Sequence, residues 1–383
     1  MGKEAVILLT FLPRIGADMG SSSAVFFFTP FMSKLLTIVI PTYNMHDYIR
    51  RCLDSICVES VMEEVQVIVV NDGSTDDTSK IAHEYERRFP HYIQVIDKEN
   101  GNYGSCMNAA LPLAVGKYFR TLDADDWYDV EAFVKFVEDL HHTDADLIIT
   151  EKVNRYSDRS QETRPFLFPP HLPMCQDISF DDIDWNNPNL REMMGVMFLT
   201  TKTSLLRSIR MQWSEGVFYS DFEYITLPLV KSATVRLVPY PVYQYLLGRE
   251  GQSVGYTFSL KNKHSYAVVL HSILDRRCDG SQFLSQGAAV LFHLKLELLV
   301  SVIYSLFFHL GFRLDAELQS LESRICQDTQ LCSFTERLES FRGRRYVAAY
   351  RHCKPLFYIY CLDYRLRTNP FLRRLLHRFR HLD

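Results

Sequence analysis

The chain has 383 residues, 47% of them hydrophobic and 23% charged, which is the make-up of a globular protein with a sizeable core and excludes a disordered or fibrous one. The formal charge of -4 hides an uneven distribution: eleven Lys and Arg against two acids lie from Arg342 onward, so the rest of the chain is distinctly acidic. Nine cysteines, none in a C-x-x-C pair, exclude a zinc knuckle and argue against a disulfide framework; a reducing, cytoplasmic setting fits them best.

In chain order, residues 1–31 come first. "AVILLTFLP" is apolar but short, and Arg14 and Asp18 soon follow it. A secretory signal is one reading. The preferred one starts the folded protein at "MSKLLTIVIPTYN" from Met32 and leaves 1–31 as an unstructured extension. "LLTIVI" (35–40) and "VQVIVV" (65–70) are continuously apolar and β-branched, as strands buried on both faces should be. "YIQVID" (92–97), "KYFRTL" (117–122) and "DLIIT" (146–150) predict three more strands. Between them, "YIRRCLDSI", "DDTSKIAHEYERRF", "SCMNAALPLAV" and "VEAFVKFVEDL" have helical patterns, with Ser74 or Thr75 as the expected cap of the second. Strands alternating with helices predict right-handed βαβ units: an α/β fold with a Rossmann-like, mostly parallel sheet flanked by helices. Residues 151–190 break this pattern as a Pro-rich excursion, 191–255 return to mixed structure, and the chain beyond about 260 reads as helical. The expected division is therefore a domain over 32–255 and a helical C-terminal region over 256–383. "LLVSVIYSLFFHLGF" (Leu298–Phe312) falls short of the about 18 apolar residues a membrane span needs and predicts a buried helix.

Ligands of an open parallel sheet bind beyond the carboxyl ends of its strands. Those ends read "PTYN" (41–44), "NDGSTDD" (71–77), "KENGNYGS" (98–105) and "DADDW" (123–127). All are polar, glycine-containing or acidic, and they converge on one rim. The first lacks the G-x-G-x-x-G that a dinucleotide needs, so a dehydrogenase loses its main support. Asp123, Asp125 and Asp126 repel one another unless a cation is shared between them. Hard carboxylate oxygens suit Mg²⁺ or Mn²⁺, which would neutralise charge growing on a departing diphosphate.

Four ordered motifs, "TIVIPTYN", "VIVVNDGSTDDT", "NGNYGSCMNAAL" and "LDADDW", resemble the successive motifs of family 2 glycosyltransferases with the GT-A fold, over roughly residues 35–150. The resemblance implies inverting transfer of a sugar from a nucleotide-sugar, a UDP-sugar favoured, to a glycan or lipid-linked acceptor in surface-polysaccharide synthesis. It places Pro41, Thr42, Tyr43 and Asn44 around the nucleotide, Pro41 and Tyr43 flanking the base. Asp72 would bond the base edge, with Gly73 beside it. Gly101 and Asn102 would shape the diphosphate loop. Asp123 and Asp125 would be the D-x-D pair: Asp125 on the metal, Asp123 on the metal, its bound water or the ribose. Asp126 is either a further ligand or the cap of the following helix. Asn108 is either the family's loop-helix asparagine or a plain helix contact. "SEGVFYSDFEYITLPLV" (214–230) aligns with the family's catalytic element and puts Asp221 at the general base and Tyr224 at the aromatic. Ser220 stands where the family has Glu, which leaves Glu223 and Glu215 as rivals and an inactive sugar-nucleotide-binding module as the alternative reading. "YPVYQYLLGREGQSV" (240–254) is similar to a loop closing over the donor, with Arg249 and Ser253 near the diphosphate; His46 could face the donor too. Neither Q-x-x-R-W nor several spans is present, which argues for single additions over processive synthesis.

The chain ends in "NPFLRRLLHRFRHLD". Phe371, Leu372, Leu375, Leu376, Phe379 and Leu382 recur at helical spacing, with Arg373, Arg374, His377, Arg380 and His381 largely on the other side. Such a helix either lies on an anionic membrane surface, each cation contributing about 1 kcal/mol, or docks on the acidic domain. No nucleic-acid-reading motif accompanies it.

Overall fold

The computed structural model describes residues 34–158, 164–187, 190, 193–252, 255–277, 283–309, 316–336 and 343–352. The expected extension over 1–31, the C-terminal basic helix and Ser253 lie outside the described residues.

The strands are β1 (Leu36–Thr42), β2 (Val65–Asp72), β3 (Ile93–Lys98), β4 (Tyr118–Thr121), β5 (Trp127–Tyr128), β6 (Leu147–Tyr156), β7 (Arg164–Phe166), β8 (Asp177–Ser179), β9 (Leu199–Lys202) and β10 (Thr234–Leu247). They form one sheet in the order β3-β2-β1-β4-β9-β6-β10-β5, with β7 on β6 and β8 on β10. The β3-β2-β1-β4 run is parallel throughout. Its apolar residues sort by parity. Ile38, Ile40, Val67 and Val69 enter one core with helices α1 (Ile49–Asp54), α2 (Thr78–Arg88) and α4 (Val130–Asp139). Val39, Ile68 and Val70 enter the other, with helix α3 (Asn102–Ala110) and the later helices. Alternate side chains of a strand point to opposite faces, so an unbroken apolar run needs both faces covered.

The chain winds outward from β1 to β3, then returns to lay β4 on the other side of β1. That reversal opens a crevice beyond the carboxyl ends of β1 and β4. It is where "PTYN" and "DADDW" emerge.

Some local readings change. Helix α2 is not capped by Ser74 or Thr75: it starts at Thr78, whose amide donates to Asp76 Oδ1 at 2.9 Å. Ser74 Oγ instead accepts the Asn44 amide at 3.0 Å, and Asn44 Oδ1 accepts the Thr75 amide at 2.8 Å, tying two strand-end loops together. Within residues 151–190, β6 runs on to Tyr156, and the short β7 and β8 pair at the sheet's margin. Strand β10 shifts register between Val238 and Tyr243, where Pro239 and Pro241 cannot donate to the ladder.

Beyond β10 the chain is helical. The helix Gln286–His309 is the one described helix long and apolar enough to cross a membrane. Its Leu291, Phe292, Leu296, Leu299, Val300 and Ile303 are buried in the core that also takes Tyr224, Leu270 and Ile273. The helical region thus shares its interior with the sheet.

Candidate active site

A cleft of about 790 Å³ lies at the crevice. It is lined by Pro41, Thr42, Tyr43, Asp72, Asn102, Asp123, Asp125, Asp221 and Arg249, so nine of the residues singled out above meet in one place. Asn44, Gly73, Gly101 and Asp126 do not line it.

The acidic loop sorts its three carboxylates. Asp123 and Asp125 face the cleft. Burial, with Asp125 and Asp221 nearby, pushes the Asp123 carboxyl up to about 7, against the pull of Arg249. Asp125 forms a close ion pair with Arg249 Nε, and its backbone carbonyl accepts Arg51 at 2.8 Å. Asp126 corrects the expectation of a ligand or a cap. Its side chain is fully buried, Oδ2 accepts the Tyr243 hydroxyl at 2.7 Å and Oδ1 accepts the Leu246 amide at 2.7 Å. The cap of α4 is Asp129, which accepts the Ala132 amide at 3.0 Å. Neighbours in a tight turn point opposite ways, so one carboxylate is sealed and the next is open.

Thr42 Oγ1, at the end of β1, is enclosed and has no hydrogen-bond partner among the described residues. Tyr43 is 46% exposed at the cleft. Asn102 holds a left-handed backbone, φ 64°, where the chain enters α3.

Asp221 begins the short helix Asp221–Thr226. Burial raises its carboxyl to about 6, partly offset by backbone amides. The rival carboxylates point elsewhere. Glu223 is fully buried and accepts the Ser214 amide at 2.7 Å and its hydroxyl at 3.0 Å. Glu215 accepts Asn108 Nδ2 at 2.7 Å. Asn108 also exchanges bonds with the Trp213 backbone, at 2.9 and 2.8 Å, so it clips this segment to α3. Tyr224 packs inside, its hydroxyl donating to the Phe119 carbonyl at 2.9 Å. Ser220 has a steric reason. A Cβ on Gly104 of α3 would stand 2.0 Å from the Ser214 carbonyl oxygen and 3.1 Å from Ser220 Oγ. Backbone meets backbone there, and Ser220 is fully buried beside it. His46 is turned away, bonded to Asp76 at 2.7 Å, which raises its pKa.

Sequence reasoning missed an aromatic wall. Phe218 meets Phe258 edge-on at 5.0 Å, and Tyr219 stacks on Tyr266 at 3.9 Å. All four line the cleft. It also missed Lys98, register partner of Asp72 on the neighbouring strand. Aligning the two strands by their apolar runs would have paired them.

Residues 37–207 match the family model described as Glycosyl transferase family 2. An uncharacterized glycosyltransferase of Mycoplasma pneumoniae, the MG025 homolog, is 38% identical over 119 residues, 30% of this chain and 38% of that protein. The uncharacterized glycosyltransferase EpsJ of Bacillus subtilis is 30% identical over 136 residues, 36% of this chain and 39% of EpsJ. The chain therefore spans about two fifths of the length of these curated relatives. The crystal structure of S. aureus TarS 1–349 in complex with UDP-GlcNAc superposes with a TM-score of 0.58 at 17% identity, over 86% of this chain and 91% of that one, which shows the GT-A-like fold. Over residues 37–207, a little under half of its length, this chain is thus similar to family 2 glycosyltransferases.

Proposed function

We propose that this chain is an inverting, metal-dependent glycosyltransferase. It moves one sugar from a nucleotide-sugar, a UDP-sugar first, to a glycan or lipid-linked acceptor of a surface polysaccharide. Residues 32–255 are its catalytic domain and 256–383 its helical region. The observation that carries the reading is Asp221, a carboxylate near pH-neutral titration in the same cleft as Asp123 and Asp125.

Tyr43 offers an open ring face for the nucleobase, and Asp72 an acceptor for its edge. Asp125 and Asp123 would hold Mn²⁺ or Mg²⁺. The crowding that raises the Asp123 carboxyl is the kind a dication relieves. Among the described residues no group of three or more His, Cys, Asp or Glu forms a complete metal site. Two carboxylates suit an ion that keeps water and takes diphosphate oxygens. Once bound, the ion would offset charge developing on the leaving diphosphate. Asp221 takes the proton of the acceptor hydroxyl as that oxygen attacks the anomeric carbon from the face opposite the diphosphate, inverting the configuration. The reading includes a cytoplasmic protein that touches the inner face of the membrane through its basic C-terminal segment, an argument from that segment's sequence.

Calorimetric titration of UDP with and without Mn²⁺, on wild type and Asp125→Ala, tests it. Metal-dependent binding lost in the variant supports the site, and turnover of a UDP-sugar then separates an enzyme from an inactive binding module. No binding of UDP, GDP or dTDP overturns it.

A further inference from the structure

We propose that Lys98 is a positioning residue that sets nucleobase preference by holding Asp72 as a pure hydrogen-bond acceptor. The inference rests on the nucleotide-sugar reading above. Asp72 and Lys98 end the paired strands β2 and β3 side by side. Lys98 Nζ donates to Asp72 Oδ1 at 2.7 Å and to Ser105 Oγ at 2.8 Å, and it touches the Glu99 carbonyl. The Gly101 amide donates to the same Oδ1 at 2.9 Å, while Asn100 Nδ2 fixes the Asp72 backbone carbonyl at 2.9 Å. A Cβ on Gly101 would stand 2.6 Å from Ser105 Oγ and 3.3 Å from Lys98 Nζ, so the clamp closes because that residue is glycine.

The consequences are chemical. Oδ1 is taken up by two donors, Lys98 Nζ and the Gly101 amide. The side chain is only 5% exposed, yet Asp72 lines the cleft beside Cys106, so Oδ2 is the atom a ligand meets. The lysine is itself committed to three oxygens and is 23% exposed. Its effect on the ligand therefore passes through Asp72. A carboxylate locked in this way selects an edge that brings a ring N–H. Uracil, thymine and guanine do so; cytosine in the same register sets its unprotonated ring nitrogen against the oxygen, and must shift along its edge to offer the N4 amino group instead.

Calorimetry in Mn²⁺ with UDP and CDP on the full chain reads this out. Wild type should bind UDP at least about tenfold tighter than CDP, the factor one charge-assisted hydrogen bond supplies. Lys98→Met should weaken UDP by about tenfold and bring the UDP/CDP ratio toward one, while Lys98→Arg restores most of it. In Asp72→Asn, adding Lys98→Met should cost nothing further, because the lysine acts through the carboxylate. A native circular-dichroism spectrum and a cooperative melt above the assay temperature in every variant separate this from misfolding. Wild-type UDP affinity in Lys98→Met, or losses that simply add in the double variant, would overturn the inference alone. Failure of wild type to bind UDP, GDP, dTDP or CDP would remove the nucleotide-sugar reading with it.

Discussion

The Tyr243 hydroxyl donates to Asp126 Oδ2 at 2.7 Å and accepts the Asp123 amide at 3.2 Å. One phenol on β10 thus fixes both ends of the acidic loop. Tyr243→Phe leaves a buried carboxylate oxygen and a backbone amide short of a partner. The expected cost is about 1–3 kcal/mol, read as a melting temperature lower by roughly 5 °C. UDP binding in Mn²⁺ should weaken as well, because the loop that carries Asp123 and Asp125 loosens.

Asp221→Asn should lower transfer by about 10²–10⁴-fold and leave the UDP dissociation constant where it was. In the proposed mechanism the base works as a carboxylate. Wild-type turnover should therefore fall as pH drops below about 6, and the residual rate of the variant should lack that acid limb. A pH–rate profile for each protein decides it; an unaltered limb in the variant assigns the proton to another group.

Asp123 carries a stability prediction of unusual sign. Its folded-state pKa of about 7 lies above the ordinary carboxylate value of 3.8. Between those values the folded protein holds a proton that the unfolded chain has released, so this group's contribution falls as pH rises through that window. Without metal at pH 7.5, Asp123→Asn should melt higher than wild type, by roughly 3 °C. Near pH 4 the gap should close. Melting both proteins across that range, with chelator, isolates the group from the histidines and salt-bridged carboxylates that titrate alongside.

Ser220 provides two opposed substitutions. Its hydroxyl is buried without a hydrogen-bond partner among the described residues, so Ser220→Ala should change stability by less than about 0.5 kcal/mol. Ser220→Glu, which restores the residue typical of the family, forces a charge against Gly104 and the Ser214 backbone. It should cost about 3 kcal/mol or more. Denaturant midpoints rank the three proteins, and a well-folded, more active Ser220→Glu would show that the site has room.

Legibility in the sequence followed the range of the interaction. Strands β1 and β2 stood out because burial on both faces demands unbroken Val and Ile. The cleft loops stood out because strand ends collect polar and glycine residues in ways local chemistry explains. Strands β5, β7 and β8 are two or three residues long; β5 and β8 owe their existence to β10, far along the chain, and β7 to a turn back onto β6 that no clear strand pattern announces. Asp125 and Asp126 are chemically identical neighbours, and only the return of Leu246 and Tyr243 tells them apart. Asp221 was read from its motif, but excluding Glu223 and Glu215 took the positions of Ser214 and Asn108. Tyr266 joins Tyr219 from a helix that the sequence offered no reason to bring to the cleft.

Gly104 and Ser105 are consecutive residues of α3. The second holds Lys98, and through it Asp72; the first lies against Ser214 and Ser220, one residue from Asp221. On the proposed reading, the two halves of the reaction are therefore gauged from a single peptide unit. A shift of α3 by a fraction of an ångström would detune nucleotide grip and proton abstraction together. For anyone grafting a new donor preference onto this scaffold, the short helix Asn102–Ala110 is the common datum, to be carried across whole with both of its neighbours or left untouched.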